Sequence, residues 1–151
     1  EKYINKFNVI TLYIQSMIAL NQGAKGVVSY IQKSVCKELA DEFSDIHFSK
    51  DNLVEPILNI FNKTNEKFVF ILGEYDCLFR DYPNEKEEVK AYLNLLRCLF
   101  KGAIGDRAVA LAYMTGIFPI GRYDSQSALN NFDQISMLNT FRLGKFVGFT
   151  G

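Results

Sequence analysis

The stretch FVFILGEYD, Phe68 to Asp76, decides the reading of this chain. Phe68 to Leu72 is a continuous apolar run of strand length, and it passes through Gly73 into two acids, Glu74 and Asp76. Continuous rather than alternating apolarity marks a strand covered on both faces, as in a parallel sheet packed between helices. Acids directly after such a strand stand where open parallel sheets put their chemistry, at the carboxyl ends of the strands.

Upstream, FNVITLYIQ (Phe7 to Gln15) is rich in β-branched and aromatic residues and reads as a strand. Gly23 to Gly26 marks a turn. From Gly26 to about Phe43, the residues Val27, Tyr30, Ile31, Val35 and Leu39 recur at helical spacing, with Gln32, Lys33, Lys37 and Glu38 largely opposite. Ser44 to Lys50 is a polar break. A second helix is expected from near Asp51, with Leu53, Ile57, Ile60 and Phe61 inward, and Pro56 predicts a later start or a kink.

Downstream, Asp81 to Glu85 reads as a loop and Glu87 to Phe100 as a helix with Val89, Leu93, Leu96, Leu99 and Phe100 inward. Arg107 to Tyr113 reads as a strand entering a polar turn that holds Thr115. Beyond Ile117 the pattern weakens to a turn around Gly121, a short helical segment from Ser125 to Asn131, and KFVGFTG as a brief final strand. No repeat or linker divides the chain, so residues 1–151 are read as one domain. Strands alternating with helices predict the α/β class, a mostly parallel sheet flanked by helices.

Composition narrows the function classes. With 48% hydrophobic and 23% charged residues the 151-residue chain reads as globular. Lys+Arg and Asp+Glu each number 17, and this balance lacks the basic footprint of a dedicated nucleic-acid binder. A clustered surface of Lys25, Lys33, Lys37 and Lys101 would be needed to argue otherwise. The three cysteines, Cys36, Cys77 and Cys98, form no C-x-x-C pair, and His47 is the only histidine, so no zinc site is expected. Reduced thiols, no signal-peptide pattern and no apolar run near the ~20 residues of a membrane span lead to a cytoplasmic expectation. Cys77 and Cys98 read as small core residues, His47 as a solvated loop residue, and NEKEEVK (Asn84 to Lys90) as a helix start whose charges face water.

Several stretches together resemble one family. FVFILGEYDCLFR, ALAYMTGIFPIGRYDSQSALNNF, SMLN and FVGFTG look like successive blocks of the AAA-ATPase-like proteins of anaerobic and gut bacteria. YINKFNVITLYIQ and VVSYIQKSVCKEL are similar to the segments that family places before its acidic strand. The resemblance covers essentially the whole chain and implies a P-loop NTPase-like core, often followed by a nuclease-like domain. The family's acidic strand usually ends Asp-Glu-aromatic-Asp, and the matching residues here are Gly73, Glu74, Tyr75 and Asp76. By resemblance, Glu74 would orient and polarise the attacking water, Thr115 would face the γ-phosphate, and Arg122 matches a basic position just beyond.

Two departures weigh against activity. No G-x-x-x-x-G-K-[ST] loop occurs, and the nearest glycine pair, GAKG at Gly23 to Gly26, lacks its spacing and its Lys-Ser/Thr. In the family that loop lies upstream of the strand matching Phe7 to Gln15. Gly73 also replaces the carboxylate that helps hold Mg²⁺, leaving Asp76, three residues on, as the substitute metal ligand. Phosphoryl transfer is mostly positioning and charge neutralisation, so losing both features predicts a truncated, non-catalytic core without a cofactor. Mg·ATP enters only if the loop is supplied from outside this chain. The plain alternatives are that Glu74 and Asp76 merely end a buried strand, that Thr115 caps a turn, and that Tyr75, Phe118 and Tyr123 are core rather than an interaction surface. Without a P-loop strand beside it, the strand from Arg107 to Tyr113 would expose a sheet edge, which predicts capture of another protein or a second copy.

Overall fold

The computed structural model describes residues 6–119 and 132–136. Strand β1 (Phe7–Tyr13) runs directly into helix α1 (Ile14–Leu20), and α2 (Val27–Glu42) and α3 (Val54–Thr64) follow. Strand β2 (Lys67–Gly73) leads into the short α4 (Cys77–Asp81), then α5 (Lys86–Phe100), α6 (Ala103–Ala108) and strand β3 (Val109–Met114). The three strands form one parallel sheet in the order β1-β2-β3, so the α/β class and the parallel pairing hold.

The first strand is two residues shorter than expected. Ile14 and Gln15 belong to α1, because Ile14 and Ile18, four apart, bury the same helical face against the core. The third strand starts at Val109. Arg107 and Ala108 close α6, which begins after Gly102 turns the chain with φ 84. Asp81 ends the helix α4, which the expected loop left out. Helix α3 starts at Val54, later than Asp51 as Pro56 predicts, and Pro56 lies in its first turn, where a backbone N–H has no intrahelical acceptor to lose. Val27, Ile31, Val35 and Leu39 of α2 and Leu93, Leu96, Leu99 and Phe100 of α5 are buried as expected, joined by Val28, Cys36, Tyr92 and Leu95, whereas Tyr30 and Val89 are only partly buried.

Coverage of the sheet differs from the expectation in one consequential way. Ile10 and Leu12 of β1 and Phe68, Phe70 and Leu72 of β2 are buried beneath the helices. The alternate residues are not: Val9 is 59% exposed, Tyr13 59%, Ile71 37%, Leu111 57% and Tyr113 55%. Register places Val9, Val69 and Leu111 in one row and Thr11, Ile71 and Tyr113 in the next. The apolar run Phe68 to Leu72 is therefore covered on one face, not two. The cause is topological. Sequential strands joined by right-handed crossovers that all advance in the same direction put their helices on one side. A second layer needs a reversal of strand order, and the described strands contain none.

Arg122, Tyr123, the helical segment from Ser125 to Asn131 and the strand KFVGFTG lie outside the described residues. Among the described residues no helix is long and apolar enough to cross a membrane.

Candidate functional site

Glu74, Asp76 and Thr115 meet at the carboxyl ends of β2 and β3. The ladder continues past the strands: the Thr115 N–H donates to the Leu72 carbonyl at 2.9 Å, and the Tyr75 N–H donates to the Thr115 carbonyl at 3.0 Å. Between them Glu74 adopts φ 53, a left-handed conformation that is uncommon for a residue with a side chain. This turn swings Asp76 back under the sheet end and starts α4.

Asp76 is completely buried. Arg80 Nη1 donates to both of its carboxylate oxygens at 3.2 Å. The backbone N–H groups of Ile117 and Phe118 donate to Oδ2 at 3.1 and 3.0 Å. Gly116 permits that approach: a Cβ there would sit 2.5 Å from Asp76 Oδ1. Tyr75, itself buried, donates its hydroxyl to the Phe118 carbonyl. Asp76 is thus a tie between the end of β2 and the loop after β3. A metal ion at this carboxylate would have to displace a guanidinium and two amides.

Sequence reasoning passed over the centre of the cluster, Arg80. Besides Asp76 it contacts Glu74 Oε2 through Nη1 at 3.2 Å and clasps Asp81 through Nε and Nη2 at 2.8 and 3.0 Å. Asp81 raises the guanidinium's proton affinity, and Arg80 in turn holds the Asp81 carboxyl below its usual range. The available signal was the Asp76–Arg80 spacing of four, which aligns the two along a helix. Glu74, the residue matched to water activation, is an ion-paired carboxylate with its side chain 44% exposed.

Residue 73, where the family resemblance leads one to expect a metal-holding carboxylate, has its own occupant. A Cβ on Gly73 would lie 2.6 Å from Tyr13 Cδ1 and 2.9 Å from Cε1, so the Tyr13 ring fills the space of a side chain at residue 73. The glycine turn is also occupied. The N–H groups of Gly26 and Val28, at the start of α2, both donate to the Glu88 carboxylate at 2.9 Å. The helix end that could take a phosphate is filled by the protein's own anion. Glu88 therefore departs from the expectation that the acids of NEKEEVK face water.

Beside the cluster, a cleft of about 370 Å³ opens between α1 and α4, with Gln15, Gln22, Cys77 and Asp81 among its lining residues. Cys36 and Cys77 are buried, and burial pushes each thiol up to about 11, whereas Cys98 is exposed on α5 rather than in the core. His47 is exposed. No group of three or more His, Cys, Asp or Glu suited to a metal ion occurs among the described residues. Lys33 and Lys37 share α2, and Lys33 pairs with Asp51 at 3.9 Å. Lys25 precedes α2 at the end capped by Glu88, whereas Lys101 follows the far end of α5, a separation along that helix of roughly 20 Å. The four lysines do not converge. Comparison with known proteins returns no matching family model, no matching curated protein and no matching solved structure.

Proposed function

We propose that this chain is an AAA-ATPase-like core that performs no phosphoryl transfer and acts as a protein-binding module. The observation that carries the reading is the uncovered sheet face, where Val9, Tyr13, Ile71, Leu111 and Tyr113 present apolar surface continuous with β3, an edge of the described sheet. Contiguous apolar surface of this kind marks interaction sites in soluble domains. Further support comes from the strand ends, whose chemistry is spent internally: Asp76 and Glu74 on Arg80, residue 73 on Tyr13, and the α2 amides on Glu88. The partner is another protein, laid over the face and along the β3 edge.

Calorimetric titration with Mg·ATP, run beside the Glu74→Ala variant, tests the first half. No heat at high protein concentration is expected, and tight Mg²⁺-dependent binding lost in the variant would overturn the reading. Light scattering with Leu111→Lys and Tyr113→Lys tests the second half. A concentration-dependent mass that these variants abolish would identify a second copy of the chain as the occupant of the face.

A second reading is favoured by the same topology. A strand added outside β3 and connected to β1 by a right-handed crossover would travel back across the sheet and lay its helix on the uncovered face. This is where the family resemblance puts the phosphate-binding strand and helix, so a unit supplied by another stretch of polypeptide would cover the edge and the face together. Gly73 separates the two readings, because such a unit brings a phosphate loop but not the missing carboxylate.

A further inference from the structure

The opposite edge of the sheet carries a groove of about 390 Å³ that runs along β1 from Phe7 to Leu12. Of the described strands only β2 pairs with β1, so the outward backbone groups of β1 face this groove. Its floor is apolar, built from Val35 and Leu39 of α2 with Phe43. Its charged lining is Glu38 and Glu42, both exposed, with no lysine or arginine among the lining residues. Neither glutamate joins any of the ion pairs of the described residues.

We propose that this groove binds an extended, basic polypeptide segment as a fourth strand alongside β1. The spacing specifies the segment. Glu38 and Glu42 are four residues apart on one helix, a rise of about 6 Å. Alternate residues of a strand are about 6.6 Å apart and point to the same face. Lys or Arg at every second position sets one cation against each carboxylate. The intervening side chains fall beside Val9 and Tyr13 on the uncovered face and are apolar. Backbone pairing with β1 supplies the affinity, and the two carboxylates select an alternating basic–apolar sequence over other extended chains. The site shares nothing with the nucleotide question and does not depend on the β3 edge.

Fluorescence anisotropy of the full chain with a labelled peptide of alternating lysine and valine tests this. A second peptide of the same composition, with lysines and valines in separate blocks, is the control for charge alone. The alternating peptide is expected to bind, to weaken about tenfold or more in the Glu38→Gln, Glu42→Gln double variant, and to weaken with salt. Amide exchange in β1 is expected to slow on binding, while Leu111→Lys and Tyr113→Lys leave the affinity unchanged. The inference is overturned if the blocked peptide binds equally well or the double variant binds as the parent does. It is also overturned if the peptide fails to bind, or if light scattering shows that the double variant breaks a dimer, which makes a second copy the occupant. Both glutamates are exposed, so neutralising them leaves the core intact.

Discussion

The ring of Tyr13 lies across Gly73, its partner in the parallel register of β1 and β2, and occupies the place where a side chain at residue 73 would begin. The two positions are coupled: an aromatic at the end of β1 goes with a glycine at the end of β2. Introducing a carboxylate by Gly73→Asp is expected to cost about 1–3 kcal/mol, the range for inserting atoms into filled space. Tyr13→Ala removes the obstruction, so the double variant should lose less than the sum of the single variants by at least about 0.5 kcal/mol. Urea denaturation of the four proteins in the cycle measures this directly, and additive losses would show that the ring swings aside freely.

Asp76 and Arg80 form the tie that fixes the loop after β3 to the end of β2. Removing Asp76 strips the Ile117 and Phe118 amides of their acceptor, at about 1–3 kcal/mol each, while Arg80 keeps Glu74 and Asp81. Asp76→Ala is expected to show this loss, and Arg80→Met to cost less because the Ile117 and Phe118 amides still hold the carboxylate. Hydrogen exchange separates the two effects. The Ile117 and Phe118 amides should lose protection in Asp76→Ala and keep most of it in Arg80→Met.

The same cluster shows how far sequence carries and where it stops. Local signals were enough for the strand Phe68 to Leu72, for the helices at Val27–Glu42 and Lys86–Phe100, and for the gathering of acids at the strand ends, because hydrophobic period and turn chemistry are properties of neighbouring residues. The contacts that give those acids their roles are not local. Asp76 meets Phe118 across 42 positions, and Glu88 meets Gly26 across 62. Coverage of the sheet was illegible for a related reason: apolar alternation in β1 and an unbroken run in β2 do not reveal on which side the crossovers lie. That depends on strand order, which only the assembled sheet displays.

Glu88 caps a helix to which it does not belong. Gly26, at the N-cap of α2, offers no side chain, and the carboxylate from α5 accepts from Gly26 and Val28 instead. Helix N-caps are worth about 0.5–2 kcal/mol, so Glu88→Ala is expected to lose that much, with faster exchange at Val28. Glu88→Gln keeps an acceptor and loses the charge that favours a helix N-terminus, and should fall between. Equal stability of all three proteins would show the contact to be energetically idle.

Alkaline pH is expected to weaken the fold through three buried groups. Burial raises Cys36 and Cys77 from 9.0 to about 11 and raises the Tyr92 hydroxyl well above 10.0. A raised folded value means that the native state holds its proton longer than the unfolded chain. Stability is therefore complete below pH 9 and declines as pH rises through 9 to about 11 for the thiols, and above pH 10.0 for Tyr92. Tyr92 has a second liability, a buried hydroxyl with no hydrogen-bond partner among the described residues. Tyr92→Phe should raise stability at neutral pH by roughly 1 kcal/mol and flatten the alkaline decline above pH 10.0. Thermal unfolding from pH 7 to 11 in parent and variant checks both effects, and a variant less stable at pH 7 would refute the first.

Glu74 holds a left-handed backbone at φ 53 while its half-exposed side chain pairs with Arg80. A residue with a Cβ loses roughly 1–2 kcal/mol in that conformation, and an exposed ion pair returns about 0.2–1 kcal/mol. The backbone term is the larger, so Glu74→Gly is expected to stabilise the protein, with a higher midpoint in urea and an unchanged slope. Glu74→Ala keeps the strain and loses the pair, and should be the less stable of the two. If both orders are observed, glutamate at this position is sustained at a net cost in stability. Combining Glu74→Gly with the light-scattering measurement then shows whether this carboxylate contributes to the proposed protein-binding surface.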